Sequence, residues 1–331
     1  MQTYVVTGGG GFIGSNVAAA LSAAHPNARV VVCDVFGSDE KWRNLSKHPV
    51  DEIISPAELF YWLEMNAGEV EAIIHLGAIS STTERNTDLL LENNYTFTRV
   101  LRAWCIEHET RFIYASSASV YGDGSQGFLD DFSTDYLKTL KPLNTYAWSK
   151  WLFDCFVARS LERNEKQPPQ WVGLRFFNVY GPNEYHKGEQ QSVAARIFPH
   201  AFAHRPVKLF HSYNAKYKDG GQLRDFIYVK DCVAVIQWFL DHPEVSGMYN
   251  LGTGKARTFE DLAKAVFSAV NHPPQIHYID MPVEIRDKYQ YFTEANMTRL
   301  RAAGYMAPFY SLEDGVRDYV TSHLVNEDHY L

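Results

Sequence analysis

Residues 3–16 read TYVVTGGGGFIGSN: a β-branched run, four glycines, then a helix-like stretch. Gly8, Gly11 and Gly14 fit G-x-x-G-x-x-G, and Gly9, Gly11 and Gly14 fit G-x-G-x-x-G. A strand that enters a helix through such a turn needs glycine for the tight bend, for backbone approach to a pyrophosphate, and for close helix–strand contact. The phosphates would then lie on the positive end of a helix beginning at Phe12 and Ile13. Asp34 ends the next apolar run, RVVVCD, twenty residues beyond Gly14. There, with Val35 beside it, it would accept from the ribose hydroxyls of NAD. Lys41, in SDEKWRN, could instead reach the 2′-phosphate of NADP, so residue chemistry leaves the choice between the two open.

The same strand–helix alternation continues. TYVVT (3–7), RVVVCD (29–34), EAIIHL (71–76), RFIYAS (111–116) and WVGLRFF (171–177) read as buried parallel strands, with helical patterns near 13–24, 87–108 and 145–163. This predicts an α/β fold: a Rossmann-type doubly wound parallel sheet over 1–177. Residues 178–331 then form mainly a smaller α/β substrate lobe, some of whose segments return to the first domain. VKLF (207–210), MYNLGT (248–253) and TFEDLAKAVFSAV (258–270) are assigned to that lobe, and YNAKYKDGGQ (213–222) to a surface insertion.

A net charge of −8 and a pI near 5.9, with no basic face, argue against a nucleic-acid partner. Cys33, Cys105, Cys155 and Cys232 form no CxxC pair, which suits separate thiols in a reducing compartment and no metal site. No secretory leader and no run of about 18 apolar residues is visible, so a soluble cytoplasmic protein with no membrane partner is expected.

Tyr146 and Lys150 in NTYAWSKWLFD stand four apart in a helical pattern, on one face and roughly 6 Å apart along the axis. A tyrosine titrates near ~10, and a neighbouring ammonium favours the phenolate, bringing it toward use as a general base. YASSASVYG (114–122) places Ser117 where the fourth long strand ends, the edge at which such sheets bind ligands. Ser117 could share the substrate hydroxyl's proton with Tyr146.

On TGGGGFIG, SSASVYG, YxxxK, RFFNVYGP (175–182) and RDFIYVKD (224–231), the chain resembles the extended short-chain dehydrogenase/reductase (NAD-dependent epimerase/dehydratase) family, which acts on nucleotide sugars. Its 4,6-dehydratases carry an Asp-Glu pair where this chain has Ala118 and Ser119, which disfavours dehydration. GAISSTTE (77–84), ENNYTFT (92–98), NVYGPNEYHKG (178–188), SVAARI (192–197) and DKYQYFTEANMTRLRAAGY (287–305) further resemble the branch that epimerises an ADP-bound manno-heptose at C6.

That resemblance implies a redox-neutral isomerase, contributing to lipopolysaccharide assembly. It would take hydride from C6, hold a 6-keto intermediate, and return hydride to the other face, with Tyr146 and Lys187 as the two proton handlers. It implies NADP as cofactor, through the glycine turn, Lys41, Leu76, Gly77, Ala78, Ile79, Ser80, Asn93, Val179 and Lys187. It implies substrate contacts at Ser117, Asn178, Glu189, Arg196, Arg224 and Tyr289, and in Phe210, His211, Ser212 and Tyr213. It also implies a homo-oligomer. The chain departs from the branch at Leu76, where a carboxylate is usual, at Pro56 for a lysine, at Glu189 for a serine, at Arg196 for a histidine, and at FHSY (210–213) for FEGS. These departures bear on nucleotide and sugar identity. A hexose 4-epimerase and a non-catalytic cofactor sensor are the alternatives.

Overall fold

The computed structural model describes residues 2–286 and 289–331. Seven parallel strands form the central sheet: β1 (Thr3–Thr7), β2 (Arg29–Cys33), β3 (Glu52–Ile54), β4 (Val70–His75), β5 (Arg111–Ser117), β6 (Trp171–Phe176) and, from much later in the chain, Gly247–Leu251. The order from one edge is β3-β2-β1-β4-β5-β6 followed by Gly247–Leu251. The strand order reverses beside β1, and the crevice there, outside the carboxyl ends of the strands, is where such sheets take ligands. β1 is buried along its whole length, as helices on both faces require.

Helix Phe12–Ala24 covers one face and packs against helix Val229–Asp241; Thr145–Glu162 lies on the other, against β5. The segment 87–107 is helical throughout but contains a π-helical turn over Leu91–Thr96. That widening turns Asn94 inward, where it is buried.

β7 (Asn178–Tyr180), β8 (Val207–Phe210) and β9 (Leu223–Tyr228) lie outside the large sheet. With β10 being Gly247–Leu251, the remaining strands are β11 (Ala256–Thr258) and β12 (Ile276–Ile279). They make two small sheets, β11-β9-β7 and β12-β8, around a core that includes Leu262, Phe267, Val316 and Tyr319. Phe12, the first helical residue after the glycine turn, belongs to this second core, so the phosphate-binding end of the first helix is also where the two cores meet.

Two readings are corrected and two elements were missed. MYNLGT is not part of the smaller lobe; its first four residues lie within β10, which pairs with β6 from Gly247↔Val172 to Leu251↔Phe176. β3 and helix Leu59–Asn66 went unread because EII is short and LFYWLEMN carries no clean apolar stripe. Within 213–222, Gly220 and Gln222 are buried, so the far end of that segment is part of the lobe and not a surface insertion. All four cysteines are buried free thiols. Among the described residues, no helix is long and apolar enough to cross a membrane, and no cluster of ligating side chains could hold a metal ion.

Candidate active site

A cavity of about 640 Å³ opens where β1, β4 and β5 end. The glycine turn forms its floor. Gly8 adopts a φ of +67°, a left-handed conformation that favours glycine, and donates its N–H to the Cys33 carbonyl at 2.8 Å. A Cβ on Gly8 would lie 2.6 Å from the Gly77 nitrogen, so the turn after β4 closes directly over it. Helix Phe12–Ala24 begins at Gly11 with no side-chain cap and no acidic residue in its first turn. Its first N–H groups are thus open to an anion, and the residues present fit the diphosphate of a dinucleotide.

At the adenosine end, Asp34 is heavily engaged. Oδ2 accepts from Gly10 N at 2.8 Å; Oδ1 accepts from Val35 N at 2.7 Å and from Lys41 Nζ at 2.6 Å. Asp34 and Lys41 both line the cavity, whereas Val35, expected to touch cofactor, is not among its lining residues; its side chain is exposed and its backbone bonds Asp34 and Lys41.

The turn after β4 carries Leu76, Gly77, Ala78 and Ser80 into the cavity. Its conformation is set by Asn94, whose side chain accepts from Ile79 N at 2.9 Å and donates to Ile79 O at 3.0 Å and Ser149 Oγ at 3.1 Å. Asn93, expected to touch cofactor, is instead exposed and donates to Leu89 O of its own helix; Asn94 is the residue that reaches inward. Ile79, also expected to touch cofactor, is not among the lining residues; its backbone N–H and C=O bond Asn94. His75 sits below, between Thr7 Oγ1 at 2.6 Å and Thr98 Oγ1 at 2.9 Å. Burial, and then the Lys150 charge, push it down to about 3, so it is neutral.

The catalytic group assembles at the end of β5. Asn144 caps helix Thr145–Glu162 by accepting from Ala147 N at 2.8 Å, which sets Tyr146 in the first turn and Lys150 in the second. Ser117, Tyr146 and Lys150 all line the cavity. Lys150 Nζ donates to the Ala115 carbonyl at 2.9 Å, pinning the ammonium to the sheet. Burial lowers Lys150 to about 8, with the Asp154 charge opposing. Tyr146 is raised by burial and pulled back by its hydrogen bond with Ser117. Beneath them, Arg175 and Asp154 form an ion pair that is 0% exposed on both sides, with Ser116 Oγ also donating to the carboxylate at 3.1 Å. The motif YxxxK does not reveal that support; an Asp four residues beyond the lysine was its available signal.

Lys187 enters the same cavity from the other side, on the segment Tyr185–Gln190, which kinks at Gly188 (φ +53°). Its Nζ lies 5.3 Å from the centroid of the Phe12 ring, and burial lowers its pKa against the opposing charge of Glu184. Glu184, fully buried, anchors the turn: it accepts from Ser192 N, from Ser192 Oγ at 2.7 Å and from Tyr319 OH at 3.1 Å. Val179 and Glu189 also line the cavity, while Asn178 is exposed outside it.

A second cavity of about 430 Å³ lies between helix Val193–Phe202, β8 and β12. Arg196, His200, Lys208, Phe210, Phe259 and Tyr289 are among its lining residues, a mixture of cations and aromatic faces suited to a nucleoside diphosphate. Arg224 packs on two of these residues, its guanidinium 5.3 Å from the Tyr289 ring centroid and 5.7 Å from that of Phe259. His211 and Ser212 do not reach the cavity; both bond to Asp219, at 2.9 and 2.7 Å. Tyr213 is also outside, bonded to Asp280 at 2.7 Å and covered by Arg286.

Comparison with known proteins agrees with this geometry. The chain is 47% identical over 330 residues to an ADP-L-glycero-D-manno-heptose-6-epimerase of Nitratidesulfovibrio vulgaris (strain DP4), covering 99% of this chain and 100% of that one. It is 43% identical over 335 residues to the enzyme of that name from Fusobacterium nucleatum, covering 99% of each. A crystal structure of Helicobacter pylori ADP-L-glycero-D-manno-heptose-6-epimerase superposes with a TM-score of 0.79 at 30% identity, covering 97% of this chain and 96% of that one. The family described as "NAD dependent epimerase/dehydratase family" matches residues 4–252. With its glycine turn, Ser117–Tyr146–Lys150 group and doubly wound sheet, the chain belongs to the NAD dependent epimerase/dehydratase family.

Proposed function

We propose that this protein inverts C6 of ADP-D-glycero-D-manno-heptose to give ADP-L-glycero-D-manno-heptose, with no net redox change. The observation that carries the reading is that two proton-handling groups, Tyr146 from the sheet side and Lys187 from the turn opposite, line one cavity. A bound nicotinamide dinucleotide supplies the hydride acceptor and donor. Tyr146, helped by Ser117, takes the hydroxyl proton as the 6-keto group forms. The protonated Lys150 beside it favours the phenolate. In the inverted arrangement the C6 oxygen would point away from Tyr146, and Lys187 would donate the proton there, its burial lowering its pKa toward the working range. Arg196, Tyr289 and Phe210 hold the nucleotide in the 430 Å³ cavity.

NADP is the proposed dinucleotide. Both Asp34 oxygens already accept from protein donors, and Lys41 partly neutralises the carboxylate, so a 2′-phosphate there would meet less repulsion. Residues 1–177 plus β10 act as the dinucleotide-binding unit and the rest mainly as the substrate lobe. Proton NMR of ADP-D-glycero-D-manno-heptose incubated with the protein and NADP tests the assignment. New signals of the C6 epimer are expected, with no accumulation of NADPH. An unchanged spectrum from protein that binds NADP would reject this substrate.

A further inference from the structure

His186 lines the first cavity together with Lys41 and Lys187, and neither the cofactor contacts nor the proton transfers described above use it. Its tautomer follows from its neighbours. Asn44 Nδ2 lies 2.9 Å from the Gly10 carbonyl and 3.2 Å from His186 Nδ1. A carbonyl can only accept, so the amide nitrogen is the atom at that end. One of its two protons goes to Gly10 and the other to Nδ1, which leaves the imidazole proton on Nε2. Asn44 Oδ1 is buried without a partner, so the amide is held by its two donor contacts alone. The ring is neutral: burial first, then the charges of Lys41 and Lys187, push it down to about 4, against the Asp34 charge and a backbone contact with Asn183.

The turn that carries the ring is fastened to the cofactor half of the molecule. Asn16 Nδ2 donates to Pro182 O at 3.0 Å, and Asn183 Nδ2 donates to Ser15 Oγ at 3.0 Å and to Asn44 O at 3.2 Å. Across the turn, Leu331 N donates to Asn183 Oδ1 at 2.9 Å. A fixed N–H donor beside the glycine turn and an ammonium group meets the anionic oxygens of a dinucleotide.

We propose that His186 is a cofactor-contacting residue whose Nε2–H donates to a phosphate oxygen of the bound dinucleotide. Binding the cofactor therefore also fixes the turn that presents Lys187. The proposal rests on reading the first cavity as the dinucleotide site, and its test needs no sugar substrate, so it fails or stands separately from the heptose assignment. Cofactor-free protein is titrated with NADPH and with NADH, following nicotinamide fluorescence, for the wild type, His186→Ala and His186→Gln. Gln retains an N–H at about the reach of Nε2. Loss of a donor to a charged group predicts about tenfold weaker binding for His186→Ala, with His186→Gln within about threefold of wild type. A loss confined to NADPH identifies the 2′-phosphate as the acceptor; an equal loss for both identifies the diphosphate. Unchanged affinity in His186→Ala, or a His186→Gln as weak as His186→Ala, overturns the proposal.

Discussion

Gly14→Ala tests whether the glycine turn is a steric necessity. A Cβ at Gly14 would lie 2.1 Å from the Gly8 carbonyl oxygen, 2.7 Å from its carbon and 2.8 Å from Gly9 Cα. Real Cβ contacts essentially never fall below 3.0 Å, so the helix and turn must separate by about 0.9 Å. All three obstacles are backbone, and Gly8 cannot retreat: it abuts Gly77, and its N–H and C=O are bonded to Cys33 and Gly11. The helix must move instead, and with it Val17, Ala18 and Leu21 of the main core. Overpacking of this kind costs up to about 3 kcal/mol. The better helix propensity of alanine returns about 1 kcal/mol, leaving a net loss of about 2 kcal/mol. The same shift carries the helix N-terminus away from the phosphates, so NADPH affinity should fall at least about tenfold. Urea unfolding and an NADPH titration measure both, with Gly68→Ala, where a Cβ meets nothing within 4 Å, as the control. A Gly14→Ala protein as stable and as tightly bound as the control would refute the argument.

Tyr146→Phe should lower turnover by about 10² or more while NADPH still binds, since it removes the general acid/base but not the ring; near-normal turnover would reassign the base. Lys187→Ala should slow epimerisation comparably yet leave the oxidation half-reaction observable as transient reduced cofactor in a stopped-flow trace. Asp231 is raised by burial to about 7, so its folded-state cost is absent at low pH and is incurred as pH rises from about 4 to about 7. Asp231→Asn should therefore stabilise the protein by on the order of 2 to 4 kcal/mol at pH 8 and by clearly less at pH 5.5, read from unfolding midpoints at the two values.

The parts of this molecule that repeat a local rule were legible in the sequence. Buried parallel strands show as continuous apolar runs, and the glycine turn, SSASVYG and YxxxK each sit where a strand ends or a helix starts. What escaped depends on contacts across the fold. Asn94 was passed over for Asn93 because ordinary helical spacing gives no hint of the π turn that rotates it inward. Gly247–Leu251 could not be assigned to the main sheet because its partner β6 is distant in sequence. Arg224 was expected to grip the substrate's phosphates; its guanidinium lies 5.3 Å from the Tyr289 ring, a contact only packing reveals. His211, Ser212 and Tyr213 were grouped with Phe210 by adjacency, and Asp219 and Asp280 hold them elsewhere.

The pairing of β6 with β10 has a consequence during synthesis. β6 ends at Phe176, but its outer neighbour is not complete until Leu251 has left the ribosome. At elongation rates of roughly 5–20 residues per second, that interval lasts several seconds, during which an apolar strand with unpaired backbone groups forms the edge of a largely built sheet. Nascent chains paused between these two points should be the ones most dependent on chaperones, and codon changes that slow this interval should raise aggregation without altering the finished protein.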